Sequence, residues 1–231
     1  EANLGIIECA KVPGPKIDWT KIATVATENF FAFGMPENEA GIAPEDCSAA
    51  LQTACTDEAL HLRVTVRDNE HICQGAPGDM WRYDSLQLGF DVDADKPWSP
   101  NLQFGWNGHR IFEYGVGARS PGKTFNWRWI AHDPKLGSQT SDDRVRTEFT
   151  RNGDKSVYEI AIPFVALGLD RAPEPDTSFG FALLVNDTDE KPFAPAGKEA
   201  KIGSGVRHGV GLFGGINDNK DFRKYGKIWF R

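Results

Sequence analysis

Three carboxylates stand at alternate positions in Asp91-Val92-Asp93-Ala94-Asp95, directly after an alternating apolar segment. Oxygen ligands at that spacing suit Ca2+, with Asp91, Asp93 and Asp95 as the expected donors. The glycine and terminal glutamate of an EF-hand loop are missing, so a solvated acidic turn is the competing reading. Asn186-Asp187-Thr188-Asp189-Glu190 is a second segment of this kind, with Asp187 and Asp189 as donors, and it also reads as an Asn-x-Thr glycosylation site. The other chemistry-bearing set is aromatic. Seven tryptophans must be either core or a flat apolar binding surface, and Trp127 and Trp129, two apart, share one face of a strand.

Most catalytic and cofactor patterns are missing. There is no G-x-S-x-G elbow, no P-loop and no H-E-x-x-H. Gly209-Val210-Gly211-Leu212-Phe213-Gly214 matches a dinucleotide fingerprint in letters only: no helix or βαβ unit follows, so close strand packing is expected and no nucleotide. Histidines 61, 71, 109, 132 and 208 show no metal-ligand spacing, and His61 is expected to face solvent. With 33 acidic residues, carboxylate pairs for glycoside hydrolysis can be found anywhere, so they argue for nothing. A net charge of −7 argues against a nucleic-acid partner, and apolar runs such as 179–185 fall short of the ~20 residues of a membrane span, so no membrane insertion is expected. Cys9, Cys47, Cys55 and Cys73 form no C-x-x-C pair. Their even number and loop-like surroundings point to disulfides outside the cytoplasm, with buried thiols as the alternative and the pairing open. Glu1-Ala2-Asn3-Leu4 lacks the basic start and apolar run of a signal peptide, as expected of a processed chain.

The elements that must position these residues are short strands. Segments 60–66, 85–90, 127–131, 144–149, 157–162, 179–185 and 227–230 alternate or run apolar between turn residues. Asn107-Gly108 predicts a hairpin between 102–106 and 110–114, and Asn152-Gly153-Asp154 another. Phe164–Leu169 after Pro163 predicts a single helical turn. The expectation is one all-β domain over residues 1–231: a two-sheet antiparallel β-sandwich, jelly-roll or immunoglobulin-like, with little helix.

One constellation narrows this further. Trp81-Arg82-Tyr83-Asp84-Ser85-Leu86-Gln87-Leu88-Gly89-Phe90-Asp91 resembles the W-x-x-D-S-[VIL]-E-[LI]-x-[FI]-D segment of family-nine carbohydrate-binding modules, within the DOMON-like β-sandwich superfamily. Residues 60–68 are similar to that family's early strand, Tyr158–Phe164 to its Y-x-x-E-x-A-I-P-[WF] segment, residues 179–189 to G-F-x-x-x-V-N-D-x-D, and Tyr225–Ile228 to its closing F-G-x-[LI]. The motifs follow in order over residues 57–231, with Ile17-Asp18-Trp19 as the opening.

The resemblance implies sugar binding and structural calcium. In the family two tryptophans sandwich a terminal sugar. The first matches Trp81, and the carboxylate six residues on falls at Gln87. The second aligns near Asn217-Asp218-Asn219, where no tryptophan stands, and an arginine of the family corresponds to Gly105. Trp98, Trp106, Trp127 and Trp129 are the candidates to replace the missing plate, with Asn217 and Asn219 as hydroxyl-binding groups. The expected function is non-catalytic binding of a polysaccharide or its chain end outside the cytoplasm, alongside or fused to a glycan-degrading enzyme. Two alternatives stand: a polysaccharide hydrolase or lyase, and a b-type haem carrier using Met80 or Met35 on a related sandwich, which would show a Soret band.

Overall fold

Alternation in the sequence becomes a two-faced sheet because successive side chains of a strand point to opposite sides. The computed structural model describes residues 5–14, 16–34, 47–97, 108–133, 135–188 and 208–231. In them lie β1 (Ile6–Lys11), β2 (Thr24–Val25), β3 (Phe31–Phe33), β4 (Cys47–Cys55), β5 (Ala59–Asp68), β6 (Ser85–Asp91), β7 (Ile111–Ala118), β8 (Thr124–Ala131), β9 (Arg146–Asn152), β10 (Lys155–Pro163), β11 (Ser178–Asp187), β12 (His208–Leu212) and β13 (Gly226–Phe230). Among the described residues helix is confined to short 3₁₀ turns, including Pro77–Arg82 and the expected Phe164–Leu167, which Gly168 ends at φ 68°.

The strand order β8-β7-β6-β11-β13-β1-β4-β5-β10-β9 is continuous, with β12 on β11, β3 on β12 and β2 on β4. The strands from β8 to β1 form sheet A and those from β1 to β9 form sheet B, so β1 belongs to both. It pairs parallel with β13 on one edge and with β4 on the other, so the sandwich is mixed rather than purely antiparallel. The far edges approach as well: the Thr124 hydroxyl of β8 donates to the Thr147 carbonyl of β9 at 3.1 Å. The outcome is one large sheet folded on itself and nearly closed.

Between the two layers lies a single apolar cluster. Leu86, Leu88 and Phe90 of β6, Phe181, Leu183 and Val185 of β11, Leu60, Leu62 and Val64 of β5, and Ile160 and Ile162 of β10 all face it. Each side chain of this kind contributes ~1.5–3 kcal/mol on burial. The expected strands at 60–66, 85–90, 127–131, 157–162, 179–185 and 227–230 all form; the segment 102–106 lies outside the described residues. The hairpin at Asn152-Gly153 closes β9 onto β10, with Gly153 at φ 60°. All four cysteines are buried and outside any disulfide, and two of them end β4 rather than sitting in loops.

The core also holds a charge. Between Trp127 and Trp129, Arg128 points inward and is 4% exposed, while the two tryptophans are only half-buried. Its guanidinium donates to the buried Asp142 carboxylate and to the Tyr114 hydroxyl at 3.1 Å. Tyr114 in turn donates to the Ala166 carbonyl at 2.7 Å. Burial pushes the Asp142 carboxyl up, but hydrogen bonds from Arg144 and the charges of Arg144 and Arg128 outweigh it and hold the group below its ordinary value of 3.8. Its contribution to stability is therefore complete above the unfolded value and is lost as pH falls through the lower folded one. Asp142→Ala strands Arg128 in the interior and is expected to cost about 3–5 kcal/mol in urea unfolding at neutral pH. A loss below ~1 kcal/mol, the size of an exposed pair, would show that water reaches Arg128.

Candidate functional site

The outward face of sheet A is unusual in what it carries. Strand register sets Gly115 of β7, Gln87 of β6, Leu184 of β11 and Gly211 of β12 side by side. The next row reads Glu113, Gly89 and Ala182. Apart from Leu184, the floor is thus built of small residues interrupted by one amide and one carboxylate.

Where Cβ atoms are missing, rings descend onto the backbone. A Cβ on Gly115 would lie 2.5 Å from the Trp129 ring and 2.6 Å from the Met80 sulfur, and a Cβ on Gly89 would collide with the Tyr225 hydroxyl. Trp129 Nε1 donates to the Gly78 carbonyl at 2.9 Å, and the Trp127 ring lies against the same glycine. The two tryptophans therefore clamp the 3₁₀ turn Pro77–Arg82 onto the sheet, and that turn carries Trp81. A capping bond from the Ser85 hydroxyl to the Met80 carbonyl, 2.7 Å, holds its far end.

The opposite wall comes from residues 213–225. Lys220 reaches down to the buried Glu113 carboxylate, with Nζ 2.6 and 2.7 Å from its two oxygens. Tyr225 is anchored against Phe222, ring centroids 5.4 Å apart, beside a small outer cluster of Phe33, Ala182, Leu184 and Ile216. Burial, then the charges of Glu113 and Asp91, push the Tyr225 phenol well above its ordinary value, so it stays protonated. Three buried polar atoms on this face have no hydrogen-bond partner among the described residues: Gln87 Oε1, Asn186 Oδ1 and the Tyr225 hydroxyl. Asn186 lies one row beyond Gln87 and donates from Nδ2 to Ser85 Oγ at 3.1 Å. Each such group costs ~1–3 kcal/mol unless something satisfies it.

The structure gathers several of the expected site residues here. Gln87 is on the floor, 2% exposed, and Trp81 is half-buried beside Met80, with the Arg82 guanidinium 4.7 Å from its ring centre. Asn217 and Asn219 are exposed on the wall that Lys220 ties down. As replacements for a second plate facing Trp81, Trp127 and Trp129 are misplaced: both pack on the turn that bears Trp81, and residues 213–225 form the other side. Trp98, Trp106 and Asp189 lie outside the described residues, as do Gly105 and Met35. Glu113, Lys220 and Tyr225 are the participants that sequence reasoning missed. A glutamate inside the apolar run Ile111-Phe112-Glu113-Tyr114 was the available signal.

The acidic run does not fit calcium. Asp91 takes His109 Nδ1 at 2.7 Å, Asp93 takes Arg110 and Lys96 at 2.8 Å, and Asp95 takes Ser178 Oγ and Lys227 at 2.8 Å. Protein donors occupy these oxygens separately, whereas Ca2+ needs six to eight converging on one point. Asp187 is buried beside His208 Nε2 at 3.0 Å. Met80 is wholly buried, its sulfur packed over Gly115 beside Trp129. His61 is half-buried, and burial lowers its pKa. A cleft of about 460 Å³ opens near Asp93, Arg110 and Ser178, where Asp93, Asp95, Lys96 and Arg110 are engaged in the ion pairs just described.

A family model, carbohydrate family 9 binding domain-like, matches residues 19–196. The chain belongs to this family. Two solved structures of a carbohydrate binding module family 9 from Caldicellulosiruptor kristjanssonii share the fold. One, in complex with glucose, has a TM-score of 0.60 at 16% identity, covering 98% of this chain and 95% of that one. The other, in complex with cellotriose, has 0.61 at 17%, covering 98% and 93%. No sequence among curated proteins matches. The Trp81-to-Asp91 segment that resembles the family therefore sits, in this family 9 domain, along the edge and floor of the glycine-lined face.

The close contacts at Gly115 give a direct check. Gly115→Ala must lift the Trp129 ring and Met80, at an expected cost of ~1–3 kcal/mol with an altered near-ultraviolet circular dichroism spectrum. Unchanged stability and spectrum would mean that the rings do not rest on the sheet there.

Proposed function

We propose that this family 9 domain binds a carbohydrate on the outward face of sheet A, at Gln87 and Glu113, between the rings that cover Gly115 and Gly89. The observation that carries the reading is the buried Gln87 carbonyl oxygen, which has no partner among the described residues and lies on a glycine-lined floor between two walls. A sugar supplies what such a place lacks: hydroxyls that donate to Gln87 Oε1, and an apolar C–H face that suits an aromatic edge. Lys220 and Glu113 hold charged donors and acceptors for further hydroxyls, and the Tyr225 hydroxyl offers one more. Trp81 stands at the rim as the ring plate, its geometry set by the clamp from Trp127 and Trp129.

The family's binding of sugars, and the glucose and cellotriose in the two similar structures, support this choice of ligand class. The ligand is then a polysaccharide or its chain end, and the domain acts without catalysis outside the cytoplasm, next to or fused to a glycan-degrading enzyme.

Calorimetry with glucose, cellotriose and xylotriose tests the reading. At least one sugar is expected to bind the wild type, and Gln87→Leu to weaken it about tenfold or more, the equivalent of ~1–3 kcal/mol. Trp81→Ala should also weaken it, by loss of ring contact. Absence of heat with every sugar, or equal affinity in Gln87→Leu, places binding elsewhere or removes it.

A further inference from the structure

Two buried polar atoms of opposite kind stand in neighbouring rows of the sheet A face. The Tyr225 hydroxyl occupies the space where a side chain on Gly89 would begin, and Gln87 lies two residues back along β6 on the same face. Tyr225 is held in place: its ring rests against Gly215 and meets Phe222 edge-on, with centroids 5.4 Å apart. Burial, then the charges of Glu113 and Asp91, push its phenol well above the ordinary value, so the proton stays on. The hydroxyl is therefore a donor, and the Gln87 carbonyl oxygen is an acceptor.

Neither atom finds a partner among the described residues, and the two do not bond to each other. Glu113, opposite Gly89 in the register, holds both carboxylate oxygens against Lys220 Nζ at 2.6 and 2.7 Å and takes no bond from Tyr225. A phenylalanine ring would fill the same space without stranding a polar atom. The family's closing segment reads F-G-x-[LI], whereas this chain has Tyr225-Gly226-Lys227-Ile228, so the ring is kept and one hydroxyl is added. A donor and an acceptor that stop short of each other are complementary to one group, a hydroxyl, which accepts with its oxygen and donates with its hydrogen. Two such bonds in series reach ~5.5 Å, and same-face positions of a strand are ~6.6–6.8 Å apart, so the glutamine side chain has only the remainder to cover.

We propose that Tyr225 is a specificity-determining residue of the sugar face, donating to a ligand hydroxyl that in turn donates to Gln87 Oε1. This rests on the sugar binding proposed above and narrows its ligand class to glycans that are unsubstituted at that hydroxyl. A deoxy sugar leaves both protein groups unpaired. A methyl ether or an ester at the same oxygen can accept from Tyr225 but has no proton for Gln87. A site built to bond a hydroxyl rejects the analogue lacking it far more strongly than an apolar pocket rejects an added one. The stranded hydroxyl destabilises the free protein, and the ligand relieves it.

The test compares the wild type with Tyr225→Phe, Gln87→Leu and the double variant, by calorimetry with glucose, cellotriose and xylotriose and by thermal unfolding of each free chain. Tyr225→Phe is expected to weaken sugar binding about tenfold and yet to raise the Tm of the free chain by ~2–4 °C, because a stranded hydroxyl is removed. The double variant should bind within about twofold of Gln87→Leu, since both groups serve one hydroxyl. Of the 2-, 3-, 4- and 6-deoxy derivatives of glucose, one should bind the wild type about tenfold or more weakly than glucose, a penalty that Tyr225→Phe does not feel. Heat from none of the sugars removes the sugar binding itself, and this role with it. Where a sugar does bind, unchanged affinity in Tyr225→Phe, a fully additive double variant, or indifference to every deoxygenation overturns the role of Tyr225 alone. A lower Tm in Tyr225→Phe overturns it too, since the hydroxyl would then be satisfied already by a bound water.

Discussion

Strand β1 is paired along both of its edges, parallel to β13 on one side and to β4 on the other. A strand shared in this way converts two sheets into one continuous surface and fixes how far they can splay. Its Cys9 is fully buried between the layers, and the Glu8 carbonyl accepts from the Thr53 hydroxyl at 2.7 Å. Because β1 ties one side and the Thr124-to-Thr147 bond draws the other edges together, the inner faces are filled mainly by apolar residues, with the Arg128–Asp142 pair as the charged exception. Sheet A is then left with one free face, and that face is where the chain spends its small and polar residues.

On that face, packing and function share a cause. Missing side chains at Gly89 and Gly115 let Tyr225, Trp129 and Met80 lie on the backbone, which brings two walls close to Gln87. The same closeness buries Gln87 and Glu113. Glu113 receives a compensating charge from Lys220, whereas no described residue donates to the Gln87 carbonyl. A buried acceptor without a donor raises the energy of the free protein, and a ligand hydroxyl recovers that energy on binding. The tryptophans that hold the 3₁₀ turn contribute by positioning; Trp81, at the rim, is the one placed to touch a ligand.

Strands with clean alternation could be read directly: Leu60 to Val66, Ser85 to Phe90 and Val157 to Ile162 all became two-faced strands with the expected inward residues. Strand β4 was not legible, because Cys47-Ser48-Ala49-Ala50 has the composition of a loop and is held in place by β1, β2 and β5 rather than by its own propensity. Strand β12 hid behind its glycines for a similar reason. Of the candidate site, Trp81 and Gln87 were visible through the motif. Glu113, Lys220 and Tyr225 were not, since their nearness to Gln87 depends on strand register and on one loop. The acidic run at Asp91 drew attention by its spacing, yet its oxygens had been allotted to His109, Arg110 and Lys227, which no local pattern announces.

By itself the sequence determined the class of fold, the inward and outward assignment of its strongest strands, and the resemblance of its Trp81-to-Asp91 segment to family-nine modules. Local periodicity suffices for these, because a side chain's face follows from its position along a strand. Only the tertiary structure decided that Arg128 is buried and its flanking tryptophans are not, that both tryptophans serve the turn bearing Trp81, and that the Tyr225 hydroxyl comes to lie in the row next to Gln87. These are contacts between strand ends and loops far apart in the chain. Their partners are chosen by how two sheets fold over β1, a constraint that no segment carries alone.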